Sequence, residues 1–138
     1  MRPNLTHVAL HVSDIQKSID FYRSYCELHI THDRSDVHGG RVVWMGEDGR
    51  EEEFIFVMIS GGPKRALLEA DFAHLGFALE SRDAVDRIAA LGRADGCLAW
   101  EPRQDPYPVG YYCGLRDPDG QVVEFSYGQP LGPGADNT

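Results

Sequence analysis

A chain of 138 residues with 42% hydrophobic and 10% aromatic content has the means to build a packed core. A formal net charge of −9 and an isoelectric point near 5.0 exclude the basic stripe that a phosphate backbone requires, so nucleic acid is not an expected partner. No apolar run approaches the ~18 residues of a membrane span, no secretory leader is evident in MRPNLTHVALHVSD, and Cys26, Cys97 and Cys113 form no CxxC pair; a cytoplasmic protein is expected.

Residues 5–12, LTHVALHV, alternate and predict a strand, with Val8, Leu10 and Val12 on one face and His7, Ala9 and His11 on the other. Ser13 or Asp14 then caps a helix whose apolar side carries Ile15, Ile19, Phe21, Tyr22 and Tyr25. A short strand is expected between Glu27 and Thr31, followed by a polar loop over 31–40, THDRSDVHGG. RVVWM (41–45) and EFIFVMI (53–59) read as strands around the turn GEDGRE. The second half begins near Ala70 with a strand at HLGFALE (74–80). Its helix starts at Ser81 or Asp83, carries Val85, Ile88, Ala89 and Leu91 on one side, and is expected to end at Gly92. CLAWE (97–101), GYYCGL (110–115) and QVVEFSY (121–127) complete the strands, with DPDG (117–120) as a turn. EPRQDPYPVG (101–110), with three prolines, reads as a stiff lid or a wide hairpin connection, and the Gly- and Pro-rich tail 129–138 as frayed.

The two halves repeat one another. An offset of 67 residues lays 6–22 on 73–89 and 53–60 on 120–127, bringing His7 onto His74 and Val57 onto Glu124. The expected fold class is therefore α+β, with two tandem β-α-β-β-β modules forming a cupped mixed sheet and helices outside. One domain spans 1–138, with module one at about 4–66 and module two at about 70–128. In both first strands the face bearing the histidine also carries small residues, Ala9, Gly76 and Ala78, leaving room for a ligand.

If the first and last strands of each module occupy equivalent places, positions 7, 57, 74 and 124 converge near a pseudo-twofold axis. Three of them, His7, His74 and Glu124, make a facial triad with open positions, a set suited to Fe(II), Mn(II), Zn(II), Ni(II) or Co(II). A structural zinc would close its shell with a fourth protein ligand, and none stands at these positions. Glu124 is the most telling of the three, because it interrupts an apolar strand and a buried carboxylate needs a partner or a metal.

The segments THVALHVSDIQKSIDFY, HLGFALES and DPDGQVVEFSY resemble the vicinal oxygen chelate superfamily, which includes glyoxalase I, bleomycin-resistance proteins, fosfomycin-resistance transferases and extradiol dioxygenases. The likeness runs from about Leu5 to Gly128. It implies paired β-α-β-β-β modules, a divalent metal on His7, His74 and Glu124, and a homodimer. This chain departs from particular branches. Val57 stands where glyoxalase I resembles it but has a fourth carboxylate ligand, and Ala9 where the fosfomycin transferases carry threonine. Gly114 stands where extradiol dioxygenases usually show tyrosine, and bleomycin-binding members typically lack the ligands altogether.

Other residues complete the expected site. His11 lies about 13 Å along the strand from His7 and is the first candidate for a general base. Tyr111 or Tyr112 could orient a substrate oxygen, since a phenol both donates and accepts; Tyr111 is taken as the candidate catalytic residue beside His11. Arg41, Arg103 and Arg116 could clamp an anion but read as solvated, as do His29, His32 and His38. The expectation is a metal-dependent enzyme that binds a small substrate through two adjacent oxygens. The metal would act as a Lewis acid, or activate O₂ if it is iron, giving dioxygenase-like or glyoxalase-like lyase or isomerase chemistry. The rival expectation is a non-catalytic protein that sequesters a small ligand.

Overall fold

The computed structural model describes residues 1–64, 66–68 and 70–135. The chain forms two compact units, Met1–Ala66 and Leu67–Thr138, each a β-α-β-β-β module with its own four-stranded mixed sheet. The fold is α+β, as the alternation and the repeat predict.

In the first unit β1 (His7–Val12) leads into α1 (Ile15–Cys26), then β2 (His29–Ser35), β3 (Arg41–Gly46) and β4 (Ile55–Ser60), in sheet order β1-β4-β3-β2. Asp14 caps α1 by accepting a hydrogen bond from the Lys17 N–H at 3.2 Å, and Glu27 ends it with a left-handed φ of 54°. The helix buries Ile19, Phe21 and Tyr22, and the Tyr22 ring meets Phe56 with centroids 4.5 Å apart. Met45, Met58 and Val43 fill the rest of that layer, each fully buried and worth about 1.5–3 kcal/mol. Phe56 and Met58 pair in register with Val8 and Leu10, so the apolar face of β1 lies under the helix and the His7, Ala9, His11 face lies opposite.

The second unit repeats the plan with β5 (His74–Ala78), α2 (Arg82–Ala94), β6 (Leu98–Asp105), β7 (Gly110–Arg116) and β8 (Val122–Tyr127), in order β5-β8-β7-β6. Ser81 caps α2 through the Ala84 N–H. Val85, Ala89, Cys113, Leu115, Val123 and Phe125 form its buried layer. Burial pushes the Cys113 thiol up to about 12, so it stays protonated and serves packing rather than ligation.

Four local expectations are corrected. The polar segment after Thr31 is not a loop, because β2 runs to Ser35 as an exposed edge strand paired to β3, and only Asp36–Gly40 turns. Polar residues suit an edge whose outer side faces water, which is why composition alone suggests a loop there. Gly92 does not end α2; the helix continues to Ala94, and Gly92 is a buried contact point where a Cβ would come within 2.8 Å of Leu115 Cγ. The stretch 101–110 is no lid: β6 continues through Asp105, leaving a short connection to β7. The tail turns back, with Gly128 N–H donating to the Pro133 carbonyl and a Cβ at Gly132 meeting Ala78; residues 136–138 lie outside the described residues.

Gly92→Ala tests the packing. Helix propensity alone would favour alanine by about 1 kcal/mol, but overpacking against a fully buried leucine costs about 1–3 kcal/mol. Urea unfolding should therefore show a net loss of about 1 kcal/mol. A gain would mean that Leu115 yields freely.

Candidate functional site

Register decides which side chains can meet. In the first sheet Ala9 pairs with Val57, Val57 with Trp44, and Trp44 with His32. In the second sheet Gly76 pairs with Glu124, Glu124 with Gly114, and Gly114 with Trp100. These are corresponding rows of the two modules, and both lie on the face away from the helix. Val57 thus occupies in its own unit the place that Glu124 holds in the second.

Glu124 is 7% exposed, a carboxylate buried in a strand of Val122, Val123 and Phe125. Its Oε2 accepts a hydrogen bond from Gln129 Nε2 at 3.2 Å and lies 3.9 Å from His74 Nε2. The other imidazole nitrogen, Nδ1 of His74, is 2.7 Å from the Phe72 carbonyl oxygen. A carbonyl can only accept, so Nδ1 carries the proton and, in the neutral ring, Nε2 presents a bare lone pair toward the carboxylate. In the neutral ring these are two acceptors 3.9 Å apart, a contact that a cation between them, or a proton on Nε2, turns from repulsive to attractive.

That donor pair fits a divalent ion. Metal–nitrogen and metal–oxygen bonds of about 2.0–2.2 Å can span the gap, and a backbone carbonyl on the far nitrogen is the usual support of a ligating histidine. Among the described residues no three His, Cys, Asp or Glu side chains are grouped closely enough to hold an ion by themselves.

In the first unit His7 is exposed, with Nδ1 3.0 Å from the Thr6 hydroxyl, which leaves its Nε2 unengaged by that bond. His11 is differently placed. Its Nδ1 is 3.3 Å from the Pro63 carbonyl, and a Cβ on Gly62 would collide with its ring, so the segment after β4 packs on it.

The two neighbouring tyrosines face opposite ways. Tyr111 lies on the helix side, where its hydroxyl donates to Asp86 of α2 and the Arg82 guanidinium sits 3.8 Å from its ring centroid. That is not the face of Glu124. Tyr112 is on that face, paired in register with Ser126, and its hydroxyl donates to Asp105 Oδ2 at 2.7 Å. Burial, then the Asp105 bond, raise the Tyr112 pKa above the ordinary phenol value, while the Asp86 bond leads the rise at Tyr111. Asp105 is held low by Tyr112 and then by Arg103, whose Nη2 donates to it at 2.9 Å. Arg41 is likewise committed, to Asp33 at 2.6 Å, and His29 faces Glu51. Arg116 donates to the Gly120 carbonyl, His32 contacts Arg34, and the backbone N–H of His38 donates to Asp36.

Sequence reasoning missed Gln129, Asp105, Trp100 and the Phe72 carbonyl. Glycine at both neighbours of Glu124, positions 76 and 114, was the available signal that this carboxylate needs space around it.

A sequence model described as the Glyoxalase/Bleomycin resistance protein/Dioxygenase superfamily matches residues 4–125. The chain belongs to this superfamily. An uncharacterized protein of Pseudomonas aeruginosa is 56% identical over 136 residues, covering 99% of this chain and 96% of its own length. Among solved structures, the fosfomycin resistance protein FosX from Listeria monocytogenes aligns with a TM-score of 0.71 at 19% identity, over 91% of this chain and 94% of that one. A further FosX structure, complexed with Mn(II) and dihydroxypropylphosphonic acid, aligns at 0.69 and 19% identity over 91% and 93%. A glyoxylase/bleomycin resistance protein/dioxygenase domain from Frankia aligns at 0.69 and 21% identity, over 91% and 97%. At these identities the structures establish the shared vicinal oxygen chelate fold, and the superfamily spans both enzymes and binding proteins.

The tyrosine network is open to a direct test. Tyrosine ionisation followed by ultraviolet difference spectroscopy should place Tyr111 and Tyr112 above the ordinary ~10. Asp105→Asn should bring Tyr112 down, and Asp86→Asn should bring Tyr111 down. Because these folded-state values are raised, the stability they contribute is whole below pH ~10 and is lost as pH rises through them. Unchanged titration in both variants would refute the hydrogen bonds.

Proposed function

We propose that this protein is a metal-dependent enzyme that binds a small substrate through two adjacent oxygens on a divalent ion. His74 Nε2 and Glu124 hold the ion, with His7 as the third ligand, contributed by the same chain or by a second copy in a homodimer. The observation that carries the reading is the facing pair of acceptors at 3.9 Å, with His74 Nδ1 anchored to a carbonyl. The Mn(II) held by a FosX structure of the same fold supports a divalent metal of this kind.

When bound, the ion supplies Lewis acidity toward vicinal oxygens, or oxygen chemistry if it is iron. The chain's own residues do the remaining work. Phe72 fixes the His74 tautomer, and Gln129 holds the Glu124 carboxylate in orientation. Tyr112, rather than Tyr111, orients a substrate oxygen, because it shares the face of Glu124 and is steered by Asp105. His11 is the proposed base; its Nδ1 proton is directed to Pro63, so Nε2 is the basic nitrogen. The reaction is dioxygenase-like or glyoxalase-like, with lyase or isomerase chemistry. Among the described residues no helix is long and apolar enough to cross a membrane, and the proposal places the enzyme in the cytoplasm.

Metal analysis after reconstitution with Mn(II), Fe(II), Zn(II) and Ni(II) tests this. About one ion per site is expected in the wild type, with affinity reduced about 10–100-fold or more in His74→Ala and Glu124→Gln, since loss of even a supporting group costs that much. Ligand binding that survives complete metal removal would favour sequestration instead. Val57→Glu should tighten metal binding by adding a carboxylate at the equivalent register, whereas Ile55→Glu, opposite His7, should not. Equal effects of the two would refute the equivalence.

A further inference from the structure

The row through Glu124 is asymmetric. On its β5 side, a Cβ at Gly76 would find, among the described residues, only Glu124 Oε2 within 4 Å, at 3.7 Å, so that flank is open. On its β7 side, the space over Gly114 is filled by the Trp100 indole. A Cβ there would lie 2.7, 2.8 and 3.1 Å from Cε3, Cδ2 and Cγ of that ring. Among the described residues, Gly114 is not one of the glycines with positive φ, so its missing side chain makes room for the indole rather than relieving the backbone. The half-buried indole meets the His74 imidazole edge to face, with centroids 5.4 Å apart and planes at 77°, and approaches Tyr112 at 6.3 Å and 89°. A planar π-surface therefore stands against one of the two donors and two strands away from the other.

Charge on this face argues the same way. Arg103, in register with Tyr112, spends its guanidinium on Asp105 through Nε and Nη2 at 3.2 and 2.9 Å. A multiply charged tetrahedral anion would have to break that pair to gain a clamp.

We infer that Trp100 is a specificity-determining residue: its indole selects ligands whose vicinal oxygens sit on planar, conjugated carbon, such as an enediol, an enolised dicarbonyl or an aromatic diol. Saturated ligands with the same oxygens gain nothing from the ring. The inference rests on reading the His74–Glu124 pair as a metal centre.

The test uses the reconstituted full chain and its Trp100→Leu, Trp100→Phe and Gly114→Ala variants, with metal content measured first. Binding is then read by the colour change of 4-nitrocatechol, and by lactate as a saturated competitor. All variants should keep their metal, because none of these residues is a ligand. Trp100→Leu should weaken 4-nitrocatechol about tenfold, Trp100→Phe by no more than about threefold, with lactate within about twofold throughout. Gly114→Ala should follow Trp100→Leu, since its Cβ displaces the indole without removing a polar group; it carries the test if Trp100→Leu does not fold. Equal changes for both probes, or none for either, with metal retained, would overturn the inference. Wild-type protein that takes up no metal would instead overturn the metal-centre reading, before any probe is added, and the inference with it.

Discussion

Parallel pairing between the first and last strand of each module is the constraint on which the site depends. Parallel neighbours cannot be joined by a tight turn, so the helix and two intervening strands must cross over between them. The crossover brings residues about fifty positions apart into one register, and it places Glu124 beside Gly76, one step along the face from His74. Slipping β8 by one residue would turn Glu124 toward α2 and into the apolar layer of Val85 and Leu115, where an unpaired carboxylate is costly. The hydrophobic pattern of β8 therefore fixes the register, and the register fixes the site.

Duplication explains the architecture, and divergence between the copies gives the second unit its own set of polar groups. Equivalent rows read Ala9, Val57, Trp44, His32 in one sheet and Gly76, Glu124, Gly114, Trp100 in the other. The aromatic residue has moved one strand outward in the second unit, and the central position has gone from an aliphatic side chain to a carboxylate. Around that carboxylate the second unit has glycine on both sides, a glutamine from the returning tail, and a histidine whose tautomer a carbonyl sets. In the neutral form of His74 an anion facing a lone pair is unfavourable by itself, and a bound cation would offset it.

Much of the fold could be read directly from residues. Ser13 or Asp14 and Ser81 or Asp83 announced the two helices, of which Asp14 and Ser81 are the caps, the 67-residue offset announced the repeat, and the alternation at His7–Val12 and His74–Ala78 announced the two faces. The faces of Tyr111 and Tyr112 follow from where the two copies depart from the offset. Met58 and Phe125 stand 67 apart, but their partners Val43 and Cys113 stand 70 apart, so the path from β7 to β8 is three residues shorter than that from β3 to β4. An odd shift reverses the face of every side chain on a strand. Tyr111 therefore turns to Asp86 and α2, and Tyr112 takes the face of Glu124. Edge strand β2 was obscured by its polar composition. Gly92 misled because glycine serves close packing as readily as it ends a helix. Trp100 had no signal in the linear sequence, since its meaning comes from a glycine fourteen residues away on the neighbouring strand.

The central claim is that His74 and Glu124 are held apart for a cation. Anomalous diffraction at the manganese edge, from crystals grown with Mn(II), examines it most directly. A peak bonded both to Nε2 of His74 and to a carboxylate oxygen of Glu124, with Nδ1 still donating to Phe72, is the predicted result. A map with no such peak, in which the imidazole and the carboxylate close on each other in a direct hydrogen bond, would contradict the account.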